Sequence, residues 1–168
     1  MDRIHRLILY LKFFVYRWVW VVVLVLLGAA IFVPIHFKGW SWQILVPAIG
    51  ALFSAAYSIQ KHQLEEDRLF RELFGEFNRR YDSLNKDMNR IHEENEGGQL
   101  GQEDTATLYK YFNLCAEEYL YYKRGYIYPE VWGAWENGMR WFCQNARIRE
   151  LWSKELETNS YYGFPLPC

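Results

Sequence analysis

Hydrophobic and polar positions divide the chain into an apolar front and a mixed, aromatic-rich remainder. No charged residue occurs in residues 18–35 or in residues 39–59. An uncharged, mostly apolar run of about 18 residues or more is near the length that crosses the hydrocarbon core of a bilayer. The connection between the two runs is long enough only for a tight turn. The pattern therefore predicts a transmembrane helical hairpin over residues 13–59, with spans at about 13–35 and 39–59.

Basic residues flank the predicted hairpin on one side. Four Lys or Arg precede the first span within residues 1–17, and Lys61, Arg68 and Arg71 follow the second, whereas the turn holds only Lys38. Because positive flanks stay on the cytoplasmic side, we expect a multi-pass protein of the cell (inner) membrane with both termini in the cytoplasm. The basic, amphipathic residues 1–17 either lie along the inner leaflet or simply start the first helix.

Small residues recur along the second predicted span. Residues of this kind at four-residue spacing let two helix backbones approach closely within a membrane. The partner is either the first span of the same hairpin or a second copy of the chain. The predicted packing residues are Gly50, Ser54 and Ser58, with Ala51 and Ala55 beside them.

A heptad pattern follows the hairpin. In residues 60–96, which we predict to form a neck helix, apolar residues are separated by alternating steps of four and three, the spacing of a coiled-coil seam. The seam packs either against another chain or against later helices of its own chain, and its aromatic content favours the second arrangement. The seam residues are Phe70, Phe74, Phe77, Tyr81, Leu84, Met88 and Ile91.

The remaining residues predict a small helical module. A glycine-rich linker, residues 97–103, precedes a module over residues 104–157, and a tail with Pro and Gly, residues 158–168, is expected to be extended. Asp104 or Thr105 is the expected first cap.

Two further helix boundaries are marked by single residues. Gly125 suits the end of the first helix of this module, and Pro129 suits the start of the next. No alternating strand pattern occurs. We therefore predict an all-α protein: a two-helix transmembrane hairpin, a long neck helix and a small cytoplasmic helical bundle.

Composition and charge exclude several classes of protein. Hydrophobic residues make up 51% of the 168 residues, so the chain is not disordered. Residues 62–168 contain 13 Lys or Arg against 19 Asp or Glu, so bulk charge predicts no nucleic-acid partner. Three widely spaced cysteines do not form a disulfide framework, and Cys115 and Cys143 are expected to be buried, reduced thiols.

Candidate chemistry in the C-terminal module is sparse. Residues 93–168 contain no histidine, which removes the usual general base, and adjacent Glu117 and Glu118 point to different sides of a helix. The four histidines have no metal-ligand spacing. We therefore expect no enzyme activity, cofactor or metal. One charged set is a candidate structural ion pair or a site for a phosphate or an acidic partner: Glu117, Arg140, Arg147 and Arg149.

The stretch from Tyr111 to Trp152 resembles the DUF4760-like family of small bacterial membrane-associated proteins. The resemblance rests on a Phe-containing helix with a Glu, an Arg-Gly pair with an aliphatic residue, and a Pro-acid helix start before a second amphipathic helix that ends in Trp. In this chain these positions are Phe112, Glu117, Arg124, Gly125, Ile127, Pro129, Glu130, Trp141 and Trp152. Since that family has no established activity, the resemblance implies architecture rather than chemistry.

Two functions are consistent with this pattern. The first is a membrane-anchored, non-enzymatic interaction module at the cytoplasmic face of a bacterial inner membrane, which binds itself or another protein. The second is a regulated effector, in stress or phage defence, whose hairpins assemble and perturb the membrane when the cytoplasmic domain is triggered. In both, the partners are the lipid bilayer and a protein.

Overall fold

A computed structural model describes residues 3–36, 42–94, 98–165 and 167. These residues form five helices and no strand, so the all-α prediction is confirmed for this part of the chain. The helices are α1 (Arg3–His36), α2 (Trp42–Glu93), α3 (Gln102–Lys123), α4 (Pro129–Phe142) and α5 (Ala146–Leu156). The chain divides into two compact units, Met1–Arg68 and Leu69–Cys168, and the boundary falls inside α2.

In the first unit, α1 and the early part of α2 pack as an antiparallel pair. The Tyr16 hydroxyl donates a hydrogen bond of 2.9 Å to the Glu66 carboxylate. Further along, Val19, Val23 and Ala56 form a small buried cluster. Tyr16, in the first half of α1, thus contacts Glu66, near the end of the part of α2 that belongs to the first unit. Of the predicted turn at residues 36–39, His36 ends α1 and residues 37–39 lie outside the described residues.

Within the described residues, the predicted membrane segments lie in α1 and in the first part of α2. Within the described part of the chain, however, no helix meets the combined requirement of length and apolarity for a membrane span. The transmembrane hairpin is therefore not supported by the helices themselves. Residues 3–17 are the start of α1 rather than a separate amphipathic segment.

The predicted neck is the second half of α2, which continues without interruption to Glu93. Its seam packs within the chain. Phe77, Met88 and Ile91 are buried in the core of the second unit. The rings of Phe70 and Tyr128 have centroids 4.3 Å apart, and Tyr81 and Leu84 border the same core. Phe74 is the exception, since it is 38% exposed, although its ring stacks on Trp135 at 6.1 Å.

Local sequence sets the ends of the later helices. α3 ends at Lys123, and Gly125 stops it two residues later with a φ of +79°, a region that favours glycine. The Tyr126 N–H donates to the Tyr121 carbonyl, as in a Schellman cap. α4 begins at Pro129, as predicted. α3 begins earlier than predicted, at Gln102 with Gly101 as its cap. The Asp104 carboxylate does not cap the helix and instead accepts a 2.6 Å bond from Arg90 of α2.

The tail is not extended, which corrects the prediction. Tyr161 and Phe164 are buried, and Phe164 stacks on Trp152 at 5.6 Å. Apolar burial therefore outweighs the local preference of the Pro- and Gly-containing segment. The prediction of two reduced thiols is also wrong for one residue: Cys115 is free and buried, whereas Cys143 is disulfide-bonded.

Candidate functional site

The small-residue stripe of α2 does not face α1. Its five residues are exposed, whereas Ala56 is 1% exposed against α1. Ser54 and Ser58 are each two residues from Ala56, which places them roughly 200° away around the helix. A methyl group added to Gly50 would meet no atom within 4 Å. The stripe therefore lies on the side of α2 opposite α1.

The four charged residues predicted to form one site are not brought together. Glu117 accepts hydrogen bonds of 2.5 and 3.3 Å from Arg80 of α2. Arg140 pairs with Glu136 at 3.0 Å, one helical turn away. Arg147 donates to the carbonyls of Ile91 and Glu94 at the end of α2, and Arg149 donates to the Cys143 carbonyl. Each residue has a separate local role: Glu117 and Arg140 form structural ion pairs, which was the first of the two alternatives, and the four residues do not share one site.

The unexpected residue is Glu118, the neighbour of Glu117. It is only 5% exposed, although it carries a carboxyl group. Glu118 lies on the buried face of α3 with Tyr111, Cys115 and Tyr122. Within the described residues it forms no salt bridge, because the nearby Arg80 is held by Glu117.

Glu118 borders a cavity of about 180 Å³ between α2, α3 and α4. Three aromatic side chains share the wall, Tyr81 from α2, Tyr111 from α3 and Trp135 from α4. The exposed residues Ala134 and Gly138 place small side chains at the solvent side, and this leaves the cavity open there. The arrangement combines one acid with aromatic faces in an enclosed space.

Burial dominates the electrostatics of the cavity. It raises the pKa of Glu118 to about 8, an effect that the positive charge of Arg80 opposes and the negative charge of Glu117 reinforces. Burial also raises the pKa of Tyr81 and Tyr111. Near neutral pH the wall therefore carries a largely protonated carboxyl group and two neutral phenols.

The neighbouring thiol is not an activated nucleophile. Burial raises the pKa of Cys115 well above its usual value, and the charge of Glu118 adds to this effect. Among the described residues, no group of three or more His, Cys, Asp or Glu side chains is arranged to hold a metal ion. The distinctive group of the cavity is therefore the Glu118 carboxyl.

The spacing of four residues in the sequence indicates that Glu118 is buried. Residues 111, 115, 118 and 122 are separated by steps of four, three and four, the spacing of one helix face. The other three positions are Tyr, Cys and Tyr. A carboxylate that replaces an apolar residue in such a stripe indicates a buried acid.

Comparisons with known proteins add no relative: the chain matches no family model, no curated protein and no solved structure. The resemblance to the DUF4760-like family therefore stays a prediction. Function has to be argued from the molecule itself.

Proposed function

We propose that the chain is a membrane-anchored, non-enzymatic helical interaction module. The apolar part of the first unit inserts into a bacterial inner membrane, and the second unit binds another copy or a different protein. The observation that carries the proposal is the exposure of large apolar side chains on α1. Leu24 and Val25 are 66% and 65% exposed, and Val22 and Phe32 are 54% and 58% exposed.

An apolar surface of this kind is unfavourable in water. Contiguous apolar surface on a soluble monomer is limited, and larger surfaces mark contact with a membrane or a protein. The exposed residues of α1 belong to a run without any charge from residue 18 to residue 35. A bilayer solvates such a helix, because its backbone polar groups are paired internally.

Cell fractionation followed by an alkaline carbonate wash tests the proposal. We expect the full chain to remain in the membrane pellet. The double variant Leu24→Arg/Val25→Arg should move to the soluble or aggregated fraction, because each arginine at the centre of a span costs about 3 kcal/mol. Leu64→Arg is the matched control, since Leu64 is 64% exposed but lies beyond the predicted spans. A wild-type chain found in the wash would contradict the proposal.

The orientation needs its own test, because two observations favour opposite compartments. The basic flanks favour cytoplasmic termini. The disulfide at Cys143 is typical of an oxidising compartment. We propose the cytoplasmic orientation. A C-terminal fluorescent protein that matures only in the cytoplasm should be bright, whereas activity of a C-terminal alkaline phosphatase would reverse the assignment.

The second candidate function, the regulated membrane-perturbing effector, is favoured by one feature. The stripe of Gly50, Ser54 and Ser58 is exposed on the side of α2 away from α1, and a Cβ added at Gly50 meets no atom of the described residues within 4 Å. Small residues on such a face allow hairpins of neighbouring copies to pack closely. This assembly would supply the oligomer that an effector needs.

Cross-linking in native membranes distinguishes the effector from a passive anchor. Gly50→Leu/Ser54→Leu should remove cross-linked oligomers and any loss of membrane potential after induced expression. Phe53→Leu is the control, because Phe53 is exposed on α2 outside the stripe. Oligomers without a change in potential would support the interaction module alone.

A further inference from the structure

The cavity beside Glu118 contains an acid that the proposed function does not use. Glu118 is nine-tenths buried or more, and it contributes to the wall together with three aromatic residues. Burying a carboxyl group without a cation or a full set of hydrogen bonds is costly. Acids in perturbed environments of this kind cluster at functional sites.

The charged and titratable groups around Glu118 leave its carboxyl group without a counter-ion. Arg80 of α2 is paired with Glu117, and Tyr81 of α2 is a neutral phenol. On α3, Tyr111 and Cys115 are neutral and Glu117 is acidic. The wall residues of α4, from Ala134 to Met139, include no titratable side chain that lines the cavity.

We propose that this cavity binds a small organic cation of the alkylammonium class. The ionised Glu118 carboxylate supplies the counter-charge, and the faces of Tyr81, Tyr111 and Trp135 supply cation–π attraction, which is strongest for Trp. The cavity of about 180 Å³ is comparable with buried cavities of about 150 Å³ that hold benzene-sized molecules. The exposed Ala134 and Gly138 leave an entrance for the ligand.

Titration calorimetry on the full chain in a maltoside detergent tests the proposal, with choline as the probe. Its control is 3,3-dimethylbutan-1-ol, which has nearly the same shape without the charge. We expect saturable binding of choline, with a Kd in roughly the millimolar range or tighter, and binding of the alcohol that is weaker by roughly tenfold or more. Equal binding of the two molecules, or no binding of choline, would overturn the proposal.

Two variants distinguish the contribution of the Glu118 carboxylate to binding from that of the cavity volume. Glu118→Gln keeps the shape of the side chain and should weaken choline binding by roughly tenfold or more. Gly138→Leu should narrow the entrance, because Gly138 lines the cavity and an added Cβ there meets no atom within 4 Å, so the larger side chain is accommodated without a clash. The control Glu136→Gln removes an equal charge from α4 without touching the cavity, and it should bind like the wild type.

The pH dependence gives an independent readout. Because the cation favours the ionised form of Glu118, whose pKa is about 8, choline binding should strengthen by about tenfold between pH 7 and pH 9. Binding should also release a proton near neutral pH, which calorimetry detects as a dependence on the ionisation enthalpy of the buffer. Binding that is unaffected by pH or by Glu118→Gln, in variants with wild-type thermal unfolding, would show that the ligand does not use this acid.

Discussion

The two units bury their apolar side chains to very different extents. In the second unit, Phe112, Phe142 and Trp152 are at most 2% exposed and belong to one continuous core. In the first unit, the described buried cluster consists of Val19, Val23 and Ala56. Helices of both units are rich in apolar residues, yet only the second unit removes most of them from solvent.

This difference shows that apolar content alone does not create a core. The second unit has four helical segments and a returning tail, so its helices can surround one another. The first unit has two helices, and a pair of helices can bury only the facing stripe of each. Its remaining apolar surface needs another apolar environment, which is the physical basis for proposing a bilayer.

Replacing one buried tryptophan of the second unit should give the largest change in the free energy of unfolding, and it tests the difference in burial between the two units directly. Trp152 stacks between Phe112 at 4.7 Å and Phe164 at 5.6 Å. Trp152→Ala removes this packing and leaves a cavity, so we expect the free energy of unfolding to fall by about 3–5 kcal/mol. Guanidinium unfolding in detergent, followed by circular dichroism, measures the loss.

Trp20→Ala is the control from the other unit, because Trp20 is 42% exposed on α1. Its effect on the same transition should stay within about 0.5 kcal/mol. If both variants lose a similar free energy of unfolding, the two units do not differ in the way that their burial indicates.

Helix positions were predictable where one residue fixes the backbone. Pro129 marked the start of α4, and Gly125 marked the end of α3, because φ restriction and positive φ are local properties. The seam spacing from Phe70 to Ile91 predicted which face of α2 packs, because the period of side chains along a helix is also a local property. The sequence could not specify which surface covers that face, since this depends on packing over long sequence distances.

The misses have the same origin. The burial of Phe164 depends on Trp152 and Tyr119, which its local Pro and Gly neighbours do not reveal. The small-residue spacing identified a face of α2 but not its neighbour. Apolar periodicity alone does not predict the burial of Glu118, because its carboxyl group interrupts the apolar face that it shares.

Glu118→Gln tests how an acid buried in the apolar second unit affects the free energy of unfolding. Folding raises the pKa of Glu118 from 4.5 to about 8. The neutral form is favoured in the folded state, so this residue's contribution is fully present below pH 4.5 and is lost as pH rises to 8. The variant lacks this loss. The difference in unfolding free energy between the variant and the wild type should therefore shift in favour of the variant by on the order of 3 kcal/mol between pH 4.5 and pH 8–9.

Thermal unfolding between pH 4.5 and pH 9 measures this difference. The control Glu136→Gln removes a half-buried acid that lies outside the cavity, and it should show the same change with pH as the wild type. A parallel pH profile for wild type and Glu118→Gln would mean that the buried carboxyl group is ionised in the folded state at all these pH values.

Asn145→Ala tests the hydrogen bonds that connect the start of α5 to the end of α2 in the second unit. The Asn145 side chain, 2% exposed, caps α5 by accepting from the Arg147 N–H at 3.0 Å, and it donates to the carbonyls of Ile91 and His92 at the end of α2. Loss of the cap and of buried bonds should cost about 2 kcal/mol. Asn113→Ala, which removes an exposed amide on α3, should change unfolding by less than about 0.5 kcal/mol.

The smallest expected effect compares two glycines of the same helix. Gly75 in the second unit and Gly50 in the first both lie within α2, and an added Cβ meets no atom within 4 Å at either position. Gly75→Ala should raise the free energy of unfolding of the second unit by about 0.5–1 kcal/mol, because alanine loses less backbone entropy than glycine in a water-exposed helix.

Gly50→Ala should leave that transition unchanged, because the proposed bilayer environment already holds this part of α2 as a helix with all its backbone groups paired. Parallel chemical unfolding of the two variants in detergent measures the difference. An equal gain in unfolding free energy for both variants would mean that α2 melts as one unit in water. The two regions would then differ in side-chain burial alone.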